Sequence, residues 1–160
     1  MIRFGRFAAQ QCRERGLRKP ETFDFLGFTH YCSKSRTSGN FIVGRKTSKK
    51  KMRAQLQAIK ESLRRRLHRP VGETGRWLRR VLQGHMNYYA VPGNGKSLDG
   101  FVTQVAKNWL KALRRRSQRS NMTWERFSTL LDLFFPPVRI LHPLPAHRFD
   151  ARTRGRSPVR

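Results

Sequence analysis

The side chains of this chain that can do chemistry are its cations, and the chemistry is phosphate binding. Lys and Arg number 36 against 9 Asp and Glu, a formal charge of +27 over 160 residues. A surface of that charge repels itself unless a polyanion lies against it, and nucleic acid is the default polyanion. The sign is also unmixed where it would be expected to alternate. From Arg45 to Arg69 there are eleven Lys or Arg and one acid, Glu61, whereas a merely solvated helix gains from opposite charges at i,i+4. At helical spacing Lys49, Lys50, Lys51, Arg53, Arg64 and Arg65 lie off the apolar stripe of one segment. Arg76, Arg79 and Arg80 oppose the aromatic face of the next. Lys107, Lys111 and Arg114, with Arg115 beside them, form an outward row on a third. These thirteen are the candidate RNA-binding residues.

Other chemistries lack their parts. A nucleic-acid polymerase or nuclease needs at least two carboxylates for its divalent ions. The acids here are scattered, and Asp24 is the only one inside the β segment. His30, His68, His85, His142 and His147 share no ligand-like spacing, and GNGK (93–96) is too short for a phosphate loop. Cys12 and Cys32 form no CxxC pair, so neither a zinc site nor a disulfide framework is indicated, which fits a reducing, cytoplasmic setting. No metal and no cofactor is expected. No run approaches the roughly 18 apolar residues of a spanning helix, so a membrane is not expected as a partner. The N-terminus is Arg-rich in the manner of a transit peptide, but that bias runs through the whole chain.

The elements that must carry these side chains follow from hydrophobic period. Residues 1–15 suit a short helix with Ile2, Phe7 and Ala8 as its apolar patch. FDFLGFTHYC (23–32) has apolar residues on both phases, as in a strand covered on both sides. With NFIVGR (about 40–45) and the SKSRTSG loop it makes a long-tipped hairpin. From Thr47 to Arg69 the line Met52, Leu56, Ile59, Leu63, Leu67 is helical, with Ser48 as N-cap and Pro70 as stop. A second helix runs from about Glu73 to Ala90, with Trp77, Val81, His85 and Tyr88 on one side and Leu78, Leu82 and Tyr89 beside them. A third is capped by Ser97 and carries Leu98, Phe101, Val102, Val105, Trp109, Ala112 and Leu113. Together they predict a three-helix bundle. A short helix capped by Thr123 is expected to bury Trp124, Phe127, Leu130, Leu131 and Phe134. It precedes an extended Pro-punctuated stretch and a disordered basic tail.

The helical aromatics, Trp77, Tyr88 and Trp109, are expected to be core before they are base-stacking platforms; Tyr31 and Phe41 in the hairpin fit either role. Arg66 and Arg116 fall near the apolar lines, where they would snorkel or pair.

ETFDFLGFTHYC, GRKTSKKKM, GRWLRRVLQGHMNYYAVPGN, LRRRSQRSNMTWERF and ILHPLPAHRF, in that order, resemble the C-terminal part of bacterial group II intron-encoded reverse transcriptases, from about Ile2 to Phe149. The resemblance implies an α+β, mainly α chain. A palm remnant with a short helix and β-hairpin (1–46) precedes a three-helix thumb, or maturase, domain (47–119). An accessory DNA-contacting segment (120–149) and a basic tail (150–160) complete it. It implies that Leu26, Gly27 and Phe28 belong to the strand near the primer end. Trp77, Leu78, Gly84, Tyr88, Tyr89 and Pro92 match the thumb signature, and Trp124, Arg126 and Arg139 become candidate DNA contacts. The family's Tyr-Ala-Asp-Asp segment and HNH endonuclease have no counterpart here, so no catalytic residue is assigned and no independent polymerase activity is expected. The implied function is an RNA-binding maturase and thumb domain, truncated or split, that aids intron RNA folding and splicing and grips template–primer. The implied partners are group II intron RNA, RNA/DNA template–primer, target DNA and a separately encoded palm and fingers polypeptide. The implied location is the bacterial cytoplasm, nucleoid or a ribonucleoprotein. Two alternatives stand beside it: a subunit completing a split reverse transcriptase, and a general basic nucleic-acid-binding protein.

Overall fold

A computed structural model describes residues 2–35, 39–116 and 122–143. The tip of the Ser/Gly loop (36–38), residues 117–121, His147 and the basic tail lie outside the described residues. Among those described, the chain is α+β and mainly helical, with five helices and one three-stranded antiparallel sheet of order β1-β2-β3. It divides into two compact units, Met1–Arg53 and Ala54–Arg160.

In the first unit, helix α1 (Ala8–Glu14) buries Ala8 and Cys12, one turn apart, while Ile2 and Phe7 of the expected apolar patch are exposed. The largest correction is in FDFLGFTHYC. It is not one strand but two, β1 (Phe23–Phe25) and β2 (Phe28–Lys34), paired antiparallel with Phe25 opposite Phe28. Leu26 (φ 47°) and Gly27 (φ 80°) form the two-residue turn, both with the positive φ that a type I′ hairpin requires. Only Phe28 of the Leu26-Gly27-Phe28 motif is therefore in a strand. Apolar residues on both phases reflect a chain reversal rather than cover on two faces. Phe23 then stacks on His30, its cross-strand partner, at 4.9 Å, and Phe4 meets Phe23 edge-on at 4.8 Å. Strand β3 (Phe41–Thr47) pairs with β2 along its full length. Gly44 lies opposite Tyr31, and a Cβ there would enter the Tyr31 ring.

Helix α2 (Lys49–Arg65) begins directly after Ser48, whose carbonyl accepts the Met52 N–H. It stops one turn short of the expected end, the chain turning between Arg66 and Pro70. In the second unit its buried residues are Ile59 and Leu63. Helix α3 (Val71–Tyr89) buries Leu78, Leu82, His85 and Met86. Of the expected apolar face Leu78, Leu82 and His85 are buried, whereas Trp77 is half-buried and Tyr88 is 50% exposed, so Tyr88 is not core. Asn94, fully buried, donates from Nδ2 to the Tyr89 carbonyl at 2.8 Å and fixes the VPGN turn. Helix α4 (Gly95–Arg115) starts there, two residues before the expected Ser97 cap, and buries Leu98, Phe101, Val105, Ala106, Trp109, Leu110 and Leu113. Side chains of this size each contribute roughly 1.5–3 kcal/mol on full burial, so α4 is the central element.

Thr123 caps α5 (Trp124–Phe134), accepting the Arg126 N–H at 3.4 Å. Phe127 and Phe134 are buried as expected, but Trp124 is 61% exposed. The fully buried Trp109 is enclosed by Phe127, Phe134 and Phe135, with ring centroids 5.6, 6.1 and 5.8 Å away. Gly75 on α3 admits the Phe134 ring, where any Cβ would collide with it. The segment after α5 returns to the end of α3. Leu141 and His142 donate their N–H groups to the Ala90 carbonyl, and the His142 ring bonds the Asn87 carbonyl at 2.7 Å.

Candidate nucleic-acid interface

Two concave sites gather cations, one in each unit. In the second unit a groove of about 120 Å³ is lined by Lys60, Leu63, Arg64 and Leu67 from α2 and the turn after it, and by Asn108, Lys111, Ala112 and Arg115 from α4. The spacing explains the division of labour. Lys60 and Arg64, one turn apart, share a side of α2, as do Leu63 and Leu67. Lys111 and Arg115 repeat the pattern on α4, with Ala112 between them. The result is an apolar floor with four exposed cations on the rim and no acid in the lining. The cations make no ion pair with any described residue. Among those residues Glu73 takes both pairs that occur, with Arg69 at 2.7 Å and Arg66 at 3.8 Å.

The first unit carries the other site, lined by Thr22, Asp24, Thr29, Lys46, Lys49, Lys50 and Arg53. Asp24 sits in it as an anchor. It accepts the Thr29 hydroxyl at 2.5 Å and the Ser48 hydroxyl at 2.8 Å, and those two hydrogen bonds, Thr29's first, hold its carboxyl below the usual range. Both partners donate, so Asp24 is committed to tying β1 and β2 to the start of α2. Four cations, Lys46, Lys49, Lys50 and Arg53, line the same site, and the charge of Lys46 also helps to lower the Asp24 carboxyl. Lys46 also lies 5.5 Å over the Tyr31 ring, a cation–π contact.

Of the sequence-derived RNA-binding residues, Arg64, Lys111 and Arg115 therefore come together in the groove, and Lys49, Lys50 and Arg53 in the first-unit site. Lys51, Arg65, Arg76, Arg79, Arg80 and Lys107 are exposed and line neither. Arg114, also exposed, donates from Nε to the Met122 carbonyl at 3.4 Å. Trp124 and Arg126 stand in the first turn of α5 and Arg139 in the extended segment, all exposed and outside both sites. Leu26 and Gly27 form the β-turn at the far end of β1. Sequence reading missed Lys60, Lys46 and Asn108. Lys60 was accessible from its i,i+4 spacing to Arg64. Lys46 and Asn108 depend on pairings between elements that no single-element period reports.

Arg66 lies 4.7 Å over the Trp77 ring and pairs with Glu73, which accounts for a cation close to an apolar line. His85, 3% exposed, stacks on Phe101 at 3.7 Å and bonds Gln55 Oε1 through Nδ1 at 2.8 Å. Burial lowers its pKa to about 4, so the ring is a neutral core group rather than a cation of the interface. Among the described residues no three His, Cys, Asp or Glu stand close enough to hold a metal ion, and no helix is long and apolar enough to cross a membrane. Comparison with known protein families, characterised proteins and solved structures gave no match.

Proposed function

We propose that the chain is an RNA-binding module of the group II intron maturase and thumb type, with the palm-like sheet before it and no polymerase centre of its own. The observation that carries this reading is the α2–α4 groove, where four cations from two helices, in no ion pair with a described residue, rim one concave surface with no acid among its described lining. Such a surface binds phosphates, and RNA is then read by shape and 2′-hydroxyls more than by base edges. The order of the five sequence motifs supplies the intron connection.

The test is binding to folded group II intron RNA, unrelated duplex RNA and DNA across a salt titration. With about six to eight phosphates engaged, log affinity against log salt should slope by roughly −5 to −7. An intron-specific module retains its preference for the folded intron as salt weakens every complex. Equal affinity for all three would replace this reading with a general basic nucleic-acid binder. Primer extension with dNTPs and Mg²⁺ should yield nothing from this chain alone, because Asp24 is hydrogen-bonded into the fold and lines its site with no second carboxylate among the described residues. Extension that Asp24→Asn abolishes would contradict that.

A second reading, a subunit that completes a split reverse transcriptase, is favoured by one observation. Ile2, Phe7 and Phe25 of the first unit are each more than half exposed, a cost that a covering polypeptide would remove. Co-expression with a palm and fingers polypeptide should give a complex and protect these residues from labelling; two separately eluting proteins would exclude it.

A further inference from the structure

We propose that the α2–α4 groove receives one unstacked nucleobase, while the rim cations hold the phosphates on either side of it. This rests on the RNA-binding reading above and specifies which part of an RNA the groove selects: a bulged or looped nucleotide rather than a regular duplex.

The argument starts from a mismatch between the site and a plain phosphate track. Phosphates alone require nothing but cations, and Arg76, Arg79 and Arg80 on α3 already expose three of them. The groove adds an apolar floor, Leu63, Leu67 and Ala112, directly beneath its cations. An apolar floor attracts no phosphate. It suits the flat, weakly hydrated face of a ring.

Size narrows the ligand further. At about 120 Å³ the groove falls well short of the roughly 300–1,000 Å³ of sites that enclose a drug-sized molecule. A whole nucleotide therefore does not enter. One ring system can, with its sugar and phosphates left at the mouth. The rim matches that division, because Lys60 and Arg64 stand on one wall and Lys111 and Arg115 on the other. A phosphate on each side of the inserted base then meets a pair of cations. The two guanidinium planes, Arg64 and Arg115, can also lie against a base. Asn108, half-buried in the wall, offers both a donor and an acceptor to a base edge. A-form duplex cannot use this arrangement, since its bases stay stacked and only its backbone reaches the protein. A nucleotide in a bulge or loop is already unstacked and enters without that cost.

The experiment uses the full chain and three RNA hairpins sharing one stem: one with a single bulged nucleotide, one with an abasic residue at the bulge, and one without a bulge. The bulged and abasic RNAs carry the same phosphates, so their difference reports the base alone. At one fixed salt concentration the bulged hairpin should bind about tenfold tighter than the abasic one, in the range expected for one stacked base. Ala112→Phe, which fills the floor, should remove the difference between the bulged and abasic hairpins. Lys111→Gln should weaken all three together. Equal affinity of the wild-type chain for bulged and abasic hairpins, a result that needs no variant to fold, overturns the base site and leaves the RNA reading standing. No binding to any of the three at low salt overturns both.

Discussion

The two units solve the same problem with unequal means. The second buries Trp109, Phe101, Phe127, Leu78, Leu82, Leu98 and Val105 completely or nearly so, around helices that each present one apolar side. Among its described residues the first buries only Ala8, Cys12, Phe28, Gly44, Thr47 and Ser48, and leaves Ile2, Phe7, Leu17, Phe25, Leu26, Ile42 and Val43 exposed. Three short strands are near the minimum for a stable sheet. A chain with one self-sufficient unit and one marginal unit opens locally before it unfolds globally. The difference also separates the two candidate sites: the groove rests on the unit with the larger buried core, whereas the Asp24-anchored site rests on the other.

The largest expected effect breaks the strong unit. Trp109→Ala should cost about 3–5 kcal/mol and abolish the helical transition as a whole, because α4 and α5 meet on that ring. Phe28→Ala should instead remove protection from hydrogen exchange in β1–β3 while the amides of α4 stay protected. A Phe28 variant that melts α4 together with the sheet would show that the units are one cooperative block. Trp77→Ala, half-buried under Arg66, should cost only roughly 1–2 kcal/mol, measured by urea unfolding.

His85 makes the strong unit acid-sensitive. Its pKa is about 4 in the fold, against about 6.5 in an unfolded chain. Between those values the unfolded chain takes up a proton that the fold refuses, so stability falls as pH drops from about 6.5 to 4 and is constant above that window. The loss is at most roughly 3 kcal/mol. His85→Leu should flatten this part of the stability–pH curve, and an unchanged slope would mean that His85 titrates freely. Next in size, Gly44→Ala in the first unit drives a methyl group into the Tyr31 ring. It should cost roughly 1–3 kcal/mol, read as faster exchange in β2 and β3 alone.

Much of the second unit was legible because helical period records burial one element at a time. The stripe Leu98, Phe101, Val105, Trp109, Leu113 and the Thr123 cap read directly into the fold. What the period missed were facts about neighbours. Tyr88 and Trp124 share the spacing of core residues, yet they are 50% and 61% exposed. Lys60 joins Lys111 only because α2 and α4 face each other there. In the first unit the pattern itself misled, since a two-residue reversal at Leu26-Gly27 gives the same alternation as a strand covered on both faces. The Gly was the available signal, and the Leu before it hid the turn, because I′ hairpins ordinarily place Asn or Asp there.

That residue supports the smallest prediction, and the one opposite in sign. Leu26 has φ 47° and is 66% exposed. Left-handed backbone costs an ordinary L-residue about 1–2 kcal/mol, and Asn bears it more easily because its side chain bonds locally. Leu26→Asn creates the Asn-Gly pair that favours this turn and removes an exposed apolar side chain. The first unit should gain up to about 1 kcal/mol, seen as slower hydrogen exchange in β1 and β2 with α4 unaffected. The same variant then separates the two readings of function. If the turn serves only the fold, RNA binding is unchanged or slightly tighter. If Leu26 is held in strain to contact a covering polypeptide, the stabilised variant forms that complex more weakly. A variant that is neither more stable nor slower to exchange would mean the turn carries no strain, and the contrast between the units would then rest on burial alone.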